Sequence, residues 1–429
     1  MPVSPRKVLL IGDVGEKIPG YYHIGDEAMF CQNESLYQHA GNFQVTRMTW
    51  SEFDPTGSAH ARLWEMPVGP AGEHEIGRIL NSARWYKRLP FLQTPELLRG
   101  YVELVRRQAL IHISGGGNLN SLYPLELYAR ALIIHLASEF RIPVLVTGQT
   151  LGPLTDPTDR AVFVKALNAC RVLTLRDKRE SLRLVHESRV TNPSVSVELD
   201  DAFFLDAVPF DSLAPFFLPS NEGNTCRVGV SIQPADEPLV EAISRALNLL
   251  AAQQSFEFYF IPHLLAANDA TQDVAMMRTI AYRLDPTVSH RIVTRKDLLE
   301  HPEPRKEKIV KGLTAAMDIV ITTRYHGLVF ALSSGVPALA INLDGYYETK
   351  NCGLLDLIFD SGDDYALAGA ALTGARLAER VMWLQGNRAL IRSKLETRRT
   401  AAREMQDLNL TLANRLLGST SDFSDREMR

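Results

Sequence analysis

Short apolar runs recur along this chain, each closed by a glycine or a polar residue and followed by a stretch with helical spacing. In the first half, Val8 to Gly12 reads as a strand, followed by a glycine-bearing loop to Tyr22 and a helix from about Gly25. Further strand candidates are Ala109 to Ser114, Pro143 to Thr147, Val172 to Leu175 and Val195 to Glu198. Helical patterns lie between them at Leu125 to Phe140, Asp159 to Cys170 and Lys178 to His186. Such alternation implies a parallel sheet covered on both faces. The stretch from about Ser51 to Leu98 is less regular and reads as an insertion or flexible cover.

Ala207 to Asn224 carries prolines, serines, glycine and asparagine with weak periodicity, the composition of a linker. A second series then begins. Its strands are Arg227 to Ile232, Phe256 to Ile261, Arg291 to Thr294, Asp318 to Thr322 and Ala338 to Leu343. Its helices are Leu239 to Ala252, Thr271 to Leu284 and Lys306 to Met317. The expected fold class is α/β: two doubly wound Rossmann-like domains, residues 1–206 and 225–364, facing a cleft across a linker at 207–224. Long helices are expected at 365–417 and a disordered tail at 418–429.

Bulk composition narrows the function. The 429 residues suffice for two to three domains, and 45% hydrophobic with 22% charged residues is ordinary for a globular protein. With 46 basic against 50 acidic residues, there is no global field for nucleic acid or a polybasic membrane patch. An anionic substrate would have to be held by a few local cations. The four cysteines, Cys31, Cys170, Cys226 and Cys352, are far apart, with no Cys-x-x-Cys pair and no paired histidine spacing. Neither a metal site nor a disulfide framework is expected, and a reducing cytoplasm fits best. The N-terminus lacks the pattern of a signal peptide and no apolar stretch is long enough to span a bilayer. The expected location is cytoplasmic, with peripheral docking on the inner membrane face left open.

The strand ends carry the chemistry. Asp318-Ile-Val-Ile-Thr-Thr-Arg324-Tyr-His326-Gly327 turns from a buried strand into Arg324, His326 and a helix start, a pattern suited to an anion and a proton carrier. The alternative is that both side chains cap loop carbonyls. Ser114-Gly-Gly116-Gly117-Asn118 allows close backbone approach to a ligand, or is a tight strand-to-helix turn. It is neither a dinucleotide fingerprint nor a Walker A loop. Thr147-Gly-Gln149-Thr-Leu-Gly-Pro153 reads as a rigid loop at the same edge. Val172 to Asp177 ends another strand in Arg176, good for an anion and poor for packing, beside Asp177 as an N-cap. Asp200 and Asp201 either orient Arg176, bind a sugar hydroxyl or cap a turn. Asp26 and Glu27 sit where a first helical turn favours acids. His263 ends Phe260-Ile-Pro-His, and Lys350 follows Asp344 as a third cation near Arg324 and His326.

Taken in order, these segments resemble the polysaccharide pyruvyl transferase family. The match runs from Gly20 to about Leu355: Gly25-Asp-Glu27, Gly115 to Asn118, Gly148 to Leu154, Leu175-Arg-Asp177 with Ser181, Asp200 to Phe203, Ile261-Pro-His263 with Asp273, and Arg324-Tyr-His326 with Gly335-Val-Pro337. The resemblance implies a fold similar to B-type glycosyltransferases, phosphoenolpyruvate as donor and a sugar diol of a surface polysaccharide or its lipid-linked precursor as acceptor. The products would be a cyclic pyruvate ketal and phosphate, with no cofactor. Donor binding and catalysis would fall to Arg176, Arg324, His326 and Lys350. The candidate substrate contacts also include Gly116, Gly117, Asn118, Gln149, Asp26, Glu27, Asp201 and His263. Two departures stand out: His23 occupies a position that is often asparagine, and Lys350 comes later after Asp344 than is usual. A nucleotide-sugar glycosyltransferase and a non-catalytic sugar-binding protein are the alternatives.

Overall fold

The computed structural model describes residues 5–15, 20–49, 67–88, 96–218, 225–359 and 362–424. Strands are numbered β1 to β15 in chain order. The chain divides into two compact units. The first comprises Met1–Asp13, Met29–Asp201 and Gln406–Arg429; the second comprises Val14–Ala28 and Ala202–Met405.

The first unit holds β1 (Arg6–Ile11), β3 (Phe43–Met48), β4 (Leu110–Ile113), β5 (Gly116–Leu119), β6 (Val144–Leu151), β7 (Val172–Leu175) and β8 (Ser194–Val197). They form one sheet in the order β3-β1-β4-β6-β7-β8, with β5 paired to β6 off this path. Every pairing is parallel. The core joins Leu9, Ile11, Ile111, Ile113, Val144 and Val146 to Leu127, Leu132 and Phe163 of the covering helices. Both faces of the central strands are buried, hence their continuous apolar runs.

The second unit holds β2 (Tyr22–His23), β9 (Cys226–Ser231), β10 (Phe256–Phe260), β11 (Leu264–Leu265), β12 (His290–Ile292), β13 (Ile319–Thr322), β14 (Ala338–Asn342) and β15 (Ala366–Ala368). Its parallel sheet runs β12-β10-β9-β13-β14-β15, the doubly wound order in which the winding direction reverses between β9 and β13. Beside it, β2 and β11 form an antiparallel pair, with Leu264 opposite His23.

Several expectations are corrected by these contacts. Residues 14–28 were assigned with the N-terminal domain, yet they belong to the second unit. There β2 pairs with β11, Ile24 N donates to His263 O at 3.0 Å, and the Tyr22 hydroxyl donates to Glu307 Oε2 at 2.7 Å. The helix Ile24–Ala40 therefore starts in one unit and continues in the other. Within the supposed linker, Phe210–Phe217 is a helix, with Leu213 and Phe217 fully buried; residues 219–224 lie outside the described set. In the region read as a cover, Gly69–Arg88 is a regular helix, and 50–66 and 89–95 are not described. The C-terminal segment adds β15 before its helices Gly374–Gly386, Arg388–Arg403 and Leu408–Ser424. That last helix enters the stretch expected to be a disordered tail and, by its contacts, belongs to the first unit.

Candidate active site

In an open α/β sheet, ligands favour the carboxyl ends of the strands at the point where the winding reverses. In the second unit that point is the pair β9 and β13, ending at Ser231 and Thr322. The helix Tyr325–Ser333 begins immediately after β13, with Arg324 as its N-cap. Thr322 shapes the turn: its hydroxyl accepts from Arg324 N at 2.9 Å and donates to Arg324 O at 2.8 Å. Gly327 lets the first helical turn approach so closely, since a Cβ there would stand 2.5 Å from Thr322 Oγ1.

Arg324 points its fork at Asp273. Nε donates to Oδ2 at 3.1 Å and Nη2 to Oδ1, while the same carboxylate accepts from the backbone of His263 (2.9 Å) and Leu264 (3.0 Å). The carboxylate is completely buried and the Arg324 side chain 12% exposed. The arginine is thus held by its fork against a buried carboxylate. His263 is buried with Nδ1 at 2.7 Å from Ser231 Oγ, and its Nε2 has no hydrogen-bond partner among the described residues. Burial pushes this imidazole down to about 4, against the opposing pull of Asp273.

His326 is buried at the start of the same helix, its ring edge-on to Tyr325 (5.2 Å between centroids) and to His23 (6.3 Å). Gly25 packs directly on the ring; a side chain there would overlap it. Asp26 and Glu27 lie in the first helical turn, as expected, and also hold neighbouring parts. Asp26 flanks His23, with Oδ2 3.1 Å from Nδ1, and Glu27 Oε1 accepts from Gly15 N at 2.6 Å. Lys350 reaches the same region despite its late position, because Asp344 caps the helix Gly345–Ile358 and the intervening residues form its first turn. Its ammonium lies over Tyr346 (4.5 Å), Tyr325 (5.6 Å) and Tyr347 (5.8 Å), a cage of aromatic faces.

The first unit treats its candidates differently. Arg176 was read as too polar for packing, yet it is 1% exposed. Nη1 donates to Asp200 Oδ2 at 2.6 Å and Nε to Thr150 Oγ1 at 2.8 Å. Of the alternatives for Asp200, orienting Arg176 is the one its position fits. Asp201 is the hub of a buried network, accepting from Asn33 (2.8 Å), Thr147 (2.9 Å) and Asn409 (2.8 Å). Burial, then repulsion from Asp200, raises its carboxyl above the usual range. The chain continues through Thr147 to His112 (2.9 Å) and from His112 to the Tyr37 hydroxyl (2.9 Å).

The glycine motif is not a strand-to-helix turn. Gly116 to Leu119, including Gly117 and Asn118, is β5, with Gly116 opposite Gln149. The close approach belongs to Gly115, where a Cβ would meet Met29 Sδ at 2.7 Å and Gly148 O at 3.1 Å. The supposed loop at Thr147 to Leu151 is also strand, broken in register between Val146 and Gln149, with Gly148 at φ 55°. Gln149 is spent on the carbonyls of Thr147 (2.9 Å) and Ser114 (3.2 Å).

Sequence reading passed over Gly25 as a ring-packing position, and Asn409 as a partner of Asp201 across 208 positions of chain. Asn409 carries no sequence signal. The Gly25-Asp-Glu motif did, though its proximity to His326 was not readable. Among the described residues no group of three His, Cys, Asp or Glu is placed to hold a metal ion, and no helix is long and apolar enough to cross a membrane.

Solved structures share this fold at low identity. A glycosyltransferase from Rickettsia africae ESF-5 aligns with TM-score 0.54 and 12% identity over 97% of this chain and 99% of that one. Anabaena Alr3699/HepE in complex with UDP gives 0.54 and 12% over 97% and 100%. MurG of Acinetobacter baumannii gives 0.51 and 13% over 95% and 100%. These likenesses establish the B-type glycosyltransferase fold class and nothing of the substrate. Family membership comes from the sequence itself: the family model for polysaccharide pyruvyl transferase matches residues 23–345, well over half of the chain, and the chain therefore belongs to the polysaccharide pyruvyl transferase family.

Proposed function

We propose that the protein transfers the pyruvyl group of phosphoenolpyruvate to a sugar diol of a surface polysaccharide or its lipid-linked precursor, forming a cyclic ketal and releasing phosphate. The observation that carries this reading is the grouping of Arg324, His326 and Lys350 around one helix start at the winding reversal of the second sheet. The donor combines a carboxylate and a phosphate. A forked guanidinium fixed by Asp273, an ammonium and an N-terminal helix dipole supply the matching positive field. Arg176, buried and paired, serves the framework in this reading instead of clamping the donor.

The chemistry needs protons moved at carbon and at oxygen. A proton added to the methylene carbon makes the adjacent carbon electrophilic, and one sugar hydroxyl adds there. Phosphate then leaves, and the second hydroxyl closes the ring. His326 is the proton carrier, a role usually worth roughly 10²–10⁴-fold.

The test is steady-state phosphate release from phosphoenolpyruvate with methyl glucoside, galactoside and mannoside as acceptors, for the wild type and His326→Asn. Lost turnover with donor affinity nearly intact supports the catalytic role; near-normal rates in the variant remove it. Thermal stabilisation by phosphoenolpyruvate but not by UDP favours this donor. The opposite result selects a nucleotide-sugar donor, and stabilisation by neither argues for a non-catalytic sugar-binding protein.

A further inference from the structure

We propose that His23 is a second proton-transfer residue of this site, acting as the partner of His326. The proposal rests on the pyruvyl-transfer reading above and deepens it. Its basis is geometric. The His23 and His326 rings meet edge to face, 6.3 Å between centroids and 81° between planes. His326 is buried, whereas the His23 side chain is 36% exposed, so one imidazole is enclosed and the other can exchange protons with solvent.

The surroundings of His23 suit a group that changes charge in place. Nδ1 has two partners on Asp26: the backbone N–H at 3.3 Å and the carboxylate Oδ2 at 3.1 Å. With the ring neutral, Nδ1 accepts from the amide; with the ring charged, it donates to the carboxylate. Each protonation state is thus hydrogen-bonded at Nδ1 without moving the ring, and the proton transfer is assigned to Nε2. A carboxylate behind an imidazole both fixes its orientation and steadies the cation when it forms. The ring is also anchored by main chain, since His23 pairs with Leu264 in the β2–β11 ribbon.

Among the described residues, the charged and titratable groups near this ring come from a few elements. Asp26 lies on its own helix start, and His326 on the helix Tyr325–Ser333. Beyond β11 stand His263, Asp273 and Arg324. From the helix Lys306–Ala315, Lys306 lies 4.6 Å above the neighbouring Tyr22 ring and Glu307 accepts from the Tyr22 hydroxyl. Of these, Asp26 touches Nδ1 of His23.

Two imidazoles balance the reaction. Protonated His23 gives its proton to the methylene carbon, while neutral His326 takes the proton of the attacking hydroxyl. The C–O bond to phosphate then breaks, and His326 returns its proton to the departing phosphate oxygen. The second hydroxyl forms the other ketal C–O bond and yields its proton to His23. Both rings end in their starting states, and no oxidant or other co-reactant is consumed.

The experiment measures kcat and KM for phosphoenolpyruvate across pH for wild type, His23→Gln and Asp26→Asn, with the same three methyl glycosides, alongside thermal melting. His23→Gln is expected to lose about 10²-fold or more in kcat, to keep the donor KM within about threefold, and to lose one limb of the kcat/KM profile. Asp26→Asn, which keeps the ring but removes its anion, is expected to lose about tenfold and shift that limb. A His23→Gln enzyme with near-normal kcat and an unchanged profile overturns the proposal, as does a fall in melting temperature alone, which would mark His23 as a support for the β2–β11 ribbon. If wild type itself releases no phosphate from phosphoenolpyruvate, the pyruvyl-transfer reading fails first and this inference with it.

Discussion

Gly25 packs its backbone so tightly on the His326 ring that any Cβ at position 25 would overlap Nδ1, Cγ and Cε1 together. The first turn of a helix more than 290 residues upstream in the chain thereby fixes the orientation of the proposed proton carrier. Gly25→Ala must displace the ring. It is expected to lower kcat on the order of 10²-fold, the usual consequence of a misplaced catalytic group, while far-ultraviolet circular dichroism stays native. Normal turnover in Gly25→Ala would show that the ring position does not matter.

Asp273 should be among the most sensitive positions of the second unit. Asp273→Asn weakens the fork to Arg324 and replaces a charged acceptor shared by two backbone amides with a neutral one. A loss of about 3–5 kcal/mol in urea unfolding is expected, as for other broken buried ion pairs. Arg324→Lys keeps the charge but not the planar fork, and is expected to raise the donor KM sharply. An unchanged KM would exclude Arg324 from donor binding.

Arg176→Lys separates framework from clamp. Because Arg176 is buried against Asp200 and Thr150, the lysine variant is expected to lose about 2 kcal/mol or more of stability, with donor affinity in the folded protein unchanged. Weakened donor binding with an unaltered melting temperature would restore the clamp.

Acid should destabilise the second unit through His263. Its folded-state value lies at about 4, below the ordinary 6.5, so the folded protein binds fewer protons than the unfolded chain in that window. The associated stability, about 3 kcal/mol at most, is fully present above pH 6.5 and is lost as pH falls towards 4. His263→Asn can still hydrogen-bond Ser231 but does not titrate, so the slope of stability against pH should flatten between these values. An unchanged slope would assign the acid sensitivity elsewhere.

The sequence by itself determined the strands of both parallel sheets that are buried on two faces. β4, β7, β13 and β14 are buried along their whole length and mostly apolar, and β9 and β10 are interrupted by one half-buried charged residue each, Arg227 and Glu257; such runs are legible because burial on both sides leaves little polar alternation. It also determined the family, through motifs at strand ends in a fixed order, and singled out Arg324 and His326 as candidates. Other strands were not legible: β2, β11 and β15 have only two or three residues, β5 is half glycine, β3 is mostly half-buried, and β6 passes through a register break at Gly148 that reads as a loop. Tertiary structure alone decided which polar residues serve the framework. Arg176 looks like a ligand in sequence because its partners Asp200 and Thr150 lie 24 and 26 positions away and reach it only after folding, and Gln149 because its bonds go to the Thr147 and Ser114 carbonyls, which no side-chain pattern announces. It alone decided, too, that residues 14–28 and the helix Leu408–Ser424 each join the unit opposite to the one their position in the chain suggests. The reason is common to all of these: hydrophobic periodicity reports how much of a side chain is buried, whereas a polar contact between distant segments is made by geometry that no local pattern encodes.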